Sequence, residues 1–525
     1  MRAALVLVAA LAVVAGCQPV PRTAMDAGPA VAETMTPGTE PMAEQIFNGA
    51  MSYVRQFDTA TGETFCWHAR ARGGSLLTGY LAYRDPVWLD YAQRYCDELI
   101  ARMATGPDGY KGFIGTYGYD QSVWCDVHIG DSILVNMMLE FAEIVLADEA
   151  LTERYGAKAR AYVDLARKHL IEKWDARGTW REDGPYGGWV SWNRFGEPGN
   201  FTDWPIRDDV AGATLGLPHN KNMDLAVACL RIYRITGQRQ YRDKAAKVFA
   251  LFKSRLQYFD DHYLWNYWEP VTVTDVDLGR RNTRHWMNVH PYRNYQAGEI
   301  DDIVEAYHTG VVFSEEDIRR IINTNLKVMW NGDLENPQWS NSNVTLPGYK
   351  PAEPSEHYPT WAGTLWGALA DFDPTVRQLA APRGGDSRNA GRRLAADYFN
   401  NVISARPPSF ERRRLVEPAE VFDVPLGDCN AVTVAAVLPS RIQRGTPSVL
   451  LSKMSIGGTM RIDLLDAKGR KTVTTLHEGQ VGGGMDGHGG VFIHTFDGGD
   501  VKAGDYLVRW TFNDGYRLFP VRIEE

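Results

Sequence analysis

From Ala43 to about Ile403, hydrophobic positions recur at helical spacing in two kinds of segment. Some segments are apolar nearly all round, such as 133–146 and 223–235. Others carry a single apolar face, as in 159–174 and 241–256. A helix that is apolar all round must be surrounded by protein, whereas an amphipathic helix can cover it and face water. The alternation of the two kinds therefore predicts an inner ring of helices wrapped by an outer ring.

Helix-boundary signals divide this region into pairs of helices. Asp85 and Asp373 each precede a proline, which places a capping side chain before the first helical residue. Ser314 and Asp317 have the spacing of a capping box, and Gly237 can end a helix at positive φ. The predicted pairs are 73–104, 131–175, 217–257, 298–331 and 359–404, with a further helix at 43–57.

Two hairpin segments resemble a known superfamily. One reads Tyr-Arg-Ile-Thr-Gly-Gln-Arg-Gln-Tyr-Arg-Asp-Lys-Ala-Ala at 233–246, and the other reads Tyr-Arg-Asp-Pro-Val-Trp-Leu-Asp-Tyr-Ala at 83–92. Both are similar to the hairpin signature of six-hairpin glycosidase-like proteins. The resemblance implies a mainly α fold, an (α/α) toroid over 43–406, of the kind that many glycoside hydrolases and polysaccharide lyases share. It indicates an architecture rather than a reaction, since one fold supports many chemistries.

After about Pro407 the pattern changes to short alternating or β-branched runs separated by Gly and Asp turns. These runs predict a small antiparallel β-sandwich over 407–525. Its segments 463–466, 497–499 and 504–506 are similar to the FlgD-like immunoglobulin-type domains found at the C-termini of exported bacterial proteins. The glycine-rich stretch 482–490 fits a flexible hairpin loop, with an ion-binding loop as the alternative.

The first residues have the pattern of a secretory signal. A short charged start precedes the apolar run 3–15, which is too short to span a bilayer. The run ends in Val-Ala-Gly-Cys, which resembles a bacterial lipobox and implies that Cys17 is lipidated; the alternative is a plain signal peptide. We therefore expect a lipoprotein signal at 1–17 and a flexible tether at 18–42. The mature protein would be exported and anchored to a membrane, facing the periplasm or the cell surface.

Charge and cysteine content narrow the possible partners. A net charge of -9 and a pI near 5.8 argue against nucleic acid as a partner. The basic run 412–414 is local and is interpreted as a solvated linker. Cys96 and Cys229 fall on apolar helical phases and are expected to be buried thiols. Cys66 and Cys125 are placed in loops, where a bridge could form in an oxidising compartment. Metal-binding spacings such as CxxC or HExxH do not occur in the sequence, so neither a metal nor a cofactor is expected.

Polar segments precede the apolar helices and indicate where the chemistry lies. These lead-in segments are 119–131, 217–224, 284–302 and 355–361. Each combines a His with amide, phenol or carboxylate side chains. In a toroid, the inner helices deliver such segments to one end of the ring. The recurrence therefore predicts a common cleft, where a sugar chain could stack on Trp rings and bind polar groups through its hydroxyls.

Two enzyme mechanisms fit these residue types, and the sequence favours a β-eliminating lyase on uronic-acid glycans. Such a lyase needs a base, an acid for the leaving oxygen, and groups that neutralise the substrate carboxylate. The candidate catalytic residues are His290, Tyr292, Tyr295, His219 and Asn220. The candidate substrate-binding residues are His128, Trp124, Trp192, Asn222, Trp268, Trp286, Arg293, Glu299, His357 and Tyr358. The expected partners are a polysaccharide or oligosaccharide and, through the lipid anchor, a membrane.

The alternative enzyme is a glycoside hydrolase. It needs a pair of carboxyl groups about 5–5.5 Å apart for retention or about 6.5–9.5 Å apart for inversion. The candidates are Asp131, Asp224, Glu269, Glu299, Asp301 and Asp302. The lyase is favoured because His and Tyr recur in the lead-in segments, whereas no carboxylate pair stands out. A third alternative, of another class, is a lipid-anchored protein that binds glycans without catalysis.

Overall fold

A helical region is followed by a β region, as the sequence predicts. The computed structural model describes residues 38–525 except 59, 260, 288–292, 341–342, 344–362, 384–388, 418–419, 422–431, 485–488 and 514. The helices are α1 (Glu40–Val54), α2 (Gly62–Gly73), α3 (Ser75–Tyr83), α4 (Val87–Ile100), α5 (His128–Leu146), α6 (Glu149–Ala166), α7 (Lys173–Ala176), α8 (His219–Thr236), α9 (Arg239–Arg255), α10 (Arg293–Thr309), α11 (Glu315–Asn323), α12 (Pro374–Ala380) and α13 (Ala390–Tyr398). Turns of π-helix at Arg167–Glu172, Thr324–Met329 and Phe399–Ile403 continue α6, α11 and α13, and 3-10 turns occur at Val273–Asp275 and Gly367–Asp371.

The long inner helices contact one another in sequence order. Helix α5 packs between α2 and α8, and α8 packs in turn against α10. Helix α6 covers α5, and α9 covers α8. The predicted pairs 131–175 and 217–257 are therefore confirmed as α5 with α6 and α8 with α9. These are the pairs in which an apolar and an amphipathic segment alternate most clearly.

Other predicted boundaries differ from the structure. Helix α1 begins at Glu40, inside the segment predicted as a tether. The predicted pair 73–104 is confirmed as α3 with α4, whereas α2 (Gly62–Gly73), which precedes it, was not predicted. The described part of the predicted pair 359–404 contains only short helices. The predicted signals at helix ends are confirmed at Ser314 and Asp317, which form a capping box. They are also confirmed at Asp373, which caps α12, and at Gly237, which ends α8 with φ 71°.

Short two-stranded sheets connect the helices. The strands are β1 (Ala104–Thr105), β2 (Lys111–Gly112), β3 (Ile114–Thr116), β4 (Trp124–Asp126), β5 (Trp180–Asp183), β6 (Tyr186–Trp189), β7 (Gln257–Phe259), β8 (His262–Leu264), β9 (Val276–Asp277), β10 (Asn282–Thr283) and β11 (Val311–Val312). The pair β3–β4 leads into α5, and β5–β6 precedes the chain that leads into α8.

The C-terminal region contains two sheets. Its strands are β12 (Glu420–Val421), β13 (Val432–Leu438), β14 (Arg441–Gln443), β15 (Ser448–Met454), β16 (Gly458–Asp466), β17 (Thr472–Val481), β18 (Val491–Phe496), β19 (Gly504–Phe512) and β20 (Gly515–Glu524). The strand orders are β13-β15-β18 and β14-β20-β19-β16-β17, and β13 contacts β20 of the other sheet. The prediction of an antiparallel sheet region is confirmed except for β14, which pairs in parallel with β20, and β12, which pairs in parallel with β11 of the helical region.

The basic run that joins the two regions is not a solvated linker, so that interpretation was wrong. The Arg414 side chain is 7% exposed and pairs with Glu305 of α10. Arg413 is equally buried and lies 2.9 Å from the Asp371 carboxylate. The C-terminal ends of α5, α8 and α10 meet here, and cations are favourable at such helix ends. Sequence patterning shows the charges of this run but not the acidic partners that bury them.

The four cysteines in the described part of the chain are buried free thiols. Cys66 lies on α2 and Cys125 on β4 rather than in loops, and both are buried free thiols, so the possible bridge between them is not formed. Cys96 and Cys229 are buried thiols, as predicted. Among the helices that the structure describes, none combines the length and apolar character needed to cross a bilayer.

Candidate functional site

A cleft lies against the N-terminal ends of α2, α5 and α8. Glu63 occupies the first turn of α2, His128 begins α5, and Lys221 lies in the first turn of α8. The cavity between these side chains has a volume of about 40 Å³. The remaining lining residues are Tyr117, Tyr119, Cys125, Asp126, Val127, Ser191, Trp192, Phe195, Gly212, Leu215, Gly216, Leu217, Pro218, Tyr267, Trp268 and His285.

The chain before α5 places a neutral histidine in the cleft. Val127 is extended and the helix begins at His128, whose ring stacks on Trp174 with centroids 3.5 Å apart. Burial lowers the pKa of His128 well below its usual value, and the nearby cations Lys173 and Arg177 lower it further. This imidazole is therefore uncharged at neutral pH. It can exchange hydrogen bonds with a ligand but does not act as a cation.

Lys221 is the cation of the cleft. Its ammonium lies 2.9 Å from Glu63 Oε1, and its side chain is 15% exposed. Burial alone would lower its pKa, but Glu63 more than offsets that effect and raises it, with smaller contributions from Tyr119 and Tyr295. Lys221 therefore stays protonated at neutral pH. The N-termini of α2, α5 and α8 add the positive ends of their helix dipoles to the same space.

Two asparagines in the first turn of α8 differ in their hydrogen bonding. Asn222 accepts a hydrogen bond from Trp189 N at 2.7 Å and donates one to Leu217 O at 2.8 Å. It therefore ties β6 to the start of α8. Asn220 is 3% exposed, and neither its amide nitrogen nor its amide oxygen has a partner among the described residues. An unsatisfied buried amide is unusual and marks a position that a ligand or water could occupy.

Aromatic rings form one wall of the site. Tyr267 stacks between Trp286 and Tyr295, with centroid distances of 5.5 and 5.4 Å. Trp268 is buried, lines the cleft and donates from Nε1 to Gly216 O at 2.6 Å. Trp192 is half-buried and lines the cleft on the side of β6. Flat apolar faces beside polar groups suit a sugar ring, which has apolar C–H faces and polar edges.

His285 lies beside Trp268, with ring centroids 4.8 Å apart, and its tautomer follows from one contact. Its Nδ1 is 3.0 Å from the carbonyl oxygen of Trp286, which can only accept a hydrogen bond. Nδ1 must therefore carry the proton. In the neutral ring the lone pair is then on Nε2, which is the arrangement of a general base.

Tyr117 and Tyr119 bring phenol groups to the cleft. Burial raises the pKa of both hydroxyls, so both remain protonated at neutral pH. The Tyr117 hydroxyl is buried and lacks a partner with hydrogen-bond geometry among the described residues. The nearby Ser191 hydroxyl slightly lowers its pKa. These phenols could donate a proton or a hydrogen bond to a ligand.

The segment 212–217 lines the cleft, and a hydrogen bond to Asp275 fixes its position. Asp275 accepts hydrogen bonds from Gly216 N at 2.6 Å and from Val271 N at 2.8 Å. Thr214 has φ 63°, a conformation that costs energy in a β-branched residue and that tertiary contacts must hold. Burial raises the pKa of Asp275 to about 6, although the backbone donors oppose that shift.

The structure places the sequence-predicted site residues in four groups. His128, Trp192 and Trp268 line the cleft, and Trp286 and Tyr295 stack on its wall through Tyr267. Trp124 is next to the lining residue Cys125, with its own ring against Phe201. Asn220 lies beside Lys221, and the side chain of Arg293, the first residue of α10, is not described. Residues outside the described part of the chain are His290, Tyr292, His357, Tyr358 and Cys17.

Three predicted site residues belong to the protein interior instead of the cleft lining. The His219 ring stands edge-on to Phe252 at 5.0 Å, in the core. Glu299 is fully buried and accepts a hydrogen bond from Trp265 Nε1 at 2.9 Å. Asn222 is held by backbone groups, as described above. Each of these residues lies near the N-terminal end of an inner helix, as predicted. The helix phase, however, turns its side chain into the protein and away from the cleft.

The predicted site omitted several polar residues that line the cleft: Glu63, Tyr117, Tyr119, Asp126, Ser191, Lys221, Tyr267 and His285. Lys221 stands in the stretch His-Asn-Lys-Asn, and His285 stands in the polar lead-in at 284–302, so both were within segments already singled out. Tyr119 begins another of these segments. Glu63 carried no comparable signal, because its pairing with Lys221 depends on how α2 meets α8.

No family model matches this chain, and no curated protein shows significant similarity to it. Within the described residues, no group of three or more His, Cys, Asp or Glu side chains is arranged to hold a metal ion.

Proposed function

We propose that this protein is a carbohydrate-active enzyme that cleaves uronic-acid glycans by β-elimination. The helical region would be the (α/α) toroid that the hairpin motifs imply. Successive contacts among α2, α5, α8 and α10, and the contact between α3 and α13, support a ring. Export and anchoring through Cys17 are part of the same proposal.

The anionic character of the substrate is supported by the position of the cleft. Lys221 lies where the N-termini of α2, α5 and α8 come together, and this is the observation on which the proposal depends. Backbone N–H groups and helix dipoles favour negative charge at such ends. The carboxylate of a uronic acid could displace Glu63 from Lys221. The ammonium would then stabilise the charge that develops when the neighbouring proton is removed.

His285 and the phenols supply the other groups that β-elimination needs. Nε2 of His285 would remove the proton on the carbon next to the carboxylate. A carbon–carbon double bond forms as the bond to the glycosidic oxygen breaks, and a phenol of Tyr117, Tyr119 or Tyr267 would give that oxygen a proton. Burial keeps the pKa of all three phenols above the usual value, so each hydroxyl is protonated at neutral pH and has a proton to give.

The carboxylates in the structure favour elimination over hydrolysis. Among the described cleft residues the carboxylates are Glu63 and Asp126. Glu63 pairs with Lys221, and Asp126 lies 2.8 Å from both Lys173 and Arg177. In the part of the chain that the structure describes, none of the six acidic residues considered for a hydrolase lines the cleft. Glu269 and Asp131, for example, are fully buried beside Arg255 and Lys173.

The test is incubation with polygalacturonate, alginate and chondroitin while ultraviolet absorbance and reducing ends are followed. New absorbance from unsaturated ends is the expected result. New reducing ends without that absorbance would indicate a hydrolase, and binding without either product would indicate a capture protein.

Two substitutions connect the activity to this cleft. His285→Ala should lower turnover by about 10²–10⁴-fold, and Lys221→Met should lower kcat/KM by about 10²–10³-fold. The controls are His262→Ala and Lys247→Met, because His262 and Lys247 pair with carboxylates outside the cleft. Full activity in both cleft variants would rule out this site.

A further inference from the structure

One arginine lies behind the aromatic wall of the cleft. The guanidinium carbon of Arg177 is 3.8 Å from the ring centroid of Trp192 and 4.7 Å from that of Trp174. Trp192 lines the cleft, whereas Arg177 does not and is only 2% exposed. The arginine therefore covers the indole from the protein side. A buried cation over a Trp face is among the stronger cation–π contacts.

Two carboxylates fix the plane of this guanidinium. Asp108 binds Nε at 2.7 Å and Nη2 at 3.1 Å, and Asp126 binds Nη1 at 2.8 Å. The fork of an arginine matches two such partners, and a lysine cannot reproduce it. The orientation of the guanidinium is therefore set independently of Trp192.

The same network supports the histidine of the cleft. Lys173 is fully buried and binds Asp126 at 2.8 Å. The next residue, Trp174, donates to Asp131 at 3.0 Å and carries the His128 ring on its face. Trp192 and His128 thus share one rigid base of paired charges. Trp192 lies on irregular chain beyond β6, where its ring also contacts Trp204, with centroids 5.8 Å apart.

We propose that Arg177 is a positioning residue that holds the Trp192 indole as a fixed platform for a sugar ring of the substrate. This inference rests on the proposed function for its ligand, but the fixed orientation of Trp192 can be tested without one. A preorganised platform strengthens binding because its ordering cost is met before the sugar arrives. The loss should therefore appear in binding rather than in the chemical step.

The variants are Arg177→Met and Arg177→Lys. Arg177→Met should fold, because Asp126 keeps Lys173 and Asp108 is already 29% exposed. Arg177→Lys keeps the charge but loses the planar fork, so a role that depends on charge alone would be rescued by it. Arg154→Met is the control on the surface. Arg154 also binds a carboxylate, Asp90, through Nη2, and lies over a ring, Tyr155, but on a surface away from the cleft.

The first readout is fluorine NMR of protein labelled with 5-fluorotryptophan, with the Trp192 resonance assigned by Trp192→Phe. Both Arg177 variants should shift and broaden that resonance, and Arg154→Met should not. An unchanged Trp192 resonance in Arg177→Met, or full rescue by Arg177→Lys, would overturn the proposal.

The second readout uses hexasaccharides from polygalacturonate, alginate and chondroitin. Arg177→Met should raise KM about tenfold while kcat stays within about threefold. A fall in kcat with unchanged KM would contradict a positioning role in binding. If the wild-type protein binds none of these sugars, the proposed function fails, whereas the fluorine spectra still decide whether Arg177 fixes Trp192.

Discussion

The two ends of the inner helices differ in how their charged and polar groups are paired. At their C-terminal ends, Arg231 of α8 lies 2.8 Å from Glu143 of α5 and 3.2 Å from Glu305 of α10. Arg234 adds a contact of 2.6 Å to Glu143, and Arg414 closes the cluster from the chain that leads to the β region. At the N-terminal ends, Lys221 pairs with Glu63 in the cleft. Apart from the buried network of Asp126, this is the one ion pair among the described residues that line the cleft.

The difference shows how one set of helices can support both stability and binding. The cluster of Arg231, Arg234, Glu143, Glu305 and Arg414, which we call the closed end, pairs each charged group with an opposite charge, although Arg231 Nε has no hydrogen-bond partner among the described residues. Its arginines also complement the negative ends of the helix dipoles. The cleft end leaves the Asn220 amide without a partner among the described residues. Polar groups left in this state cost stability and are retained where a ligand uses them.

The largest effect is expected at the closed end. Arg231→Met leaves Glu143 and Glu305 buried with fewer cations, and breaking a buried ion pair costs about 3–5 kcal/mol. Urea unfolding followed by circular dichroism measures the loss. Lys221→Met at the cleft end should cost less than about 1 kcal/mol, because that pair is partly exposed to solvent. Equal losses in the two variants would contradict the contrast between the ends.

The pH dependence of stability should separate the two ends next. At the closed end, burial alone would raise the pKa of Glu143 and Glu305, but Arg234 and Arg414 lower these values below the usual one of 4.5. The ionised forms are therefore favoured in the folded state. Their contribution is complete above about pH 4.5 and is lost as the pH falls through the lowered folded pKa values.

The ionisation of Asp275, at the cleft end, has the opposite effect on stability. Its folded pKa of about 6 exceeds the usual 3.8, so the folded state loses stability as the pH rises from about 4 to 6. Calorimetry from pH 3 to 7 should show a loss on the acid side that Arg231→Met reduces. It should also show a loss toward pH 6 that Asp275→Asn reduces; part of the loss remains, because burial also raises the pKa of Glu269, to about 7. A profile that neither variant changes would rule out these assignments.

The sequence predicted the structure best for features that depend on one helix or strand alone. The apolar segments around Ile133 and Met223 had to be surrounded, and they became α5 and α8 of the inner layer. The polar lead-ins at 119–131 and 217–224 do meet in one cleft, since the N-termini of adjacent inner helices lie together. These inferences need only periodicity and chain direction.

The sequence predicted least where two distant segments decide the outcome. Arg413 and Arg414 read as solvated charges because their partners, Asp371 and Glu305, are contributed by other elements. The pairing of Lys221 with Glu63 is of the same kind. Helix phase explains the other errors: His219 and Glu299 are on the expected helices, but their side chains turn into the core. A periodicity argument sharp enough to locate a helix does not tell which of its polar residues faces the cleft.

The smallest effect is expected at two neighbouring asparagines of α8. Asn220→Leu removes an amide that has no partner among the described residues, so the unfolding free energy should rise by about 1 kcal/mol. Asn222→Leu is the control: it is equally buried but breaks bonds to Trp189 and Leu217, and it should cost about 2 kcal/mol. If the Asn220 amide binds substrate, the first variant should also lose turnover while gaining stability. Urea unfolding of both variants measures the contrast. A loss of stability in Asn220→Leu would mean that the Asn220 amide already has hydrogen-bond partners. The cleft end would then not be the end with more unsatisfied polar groups.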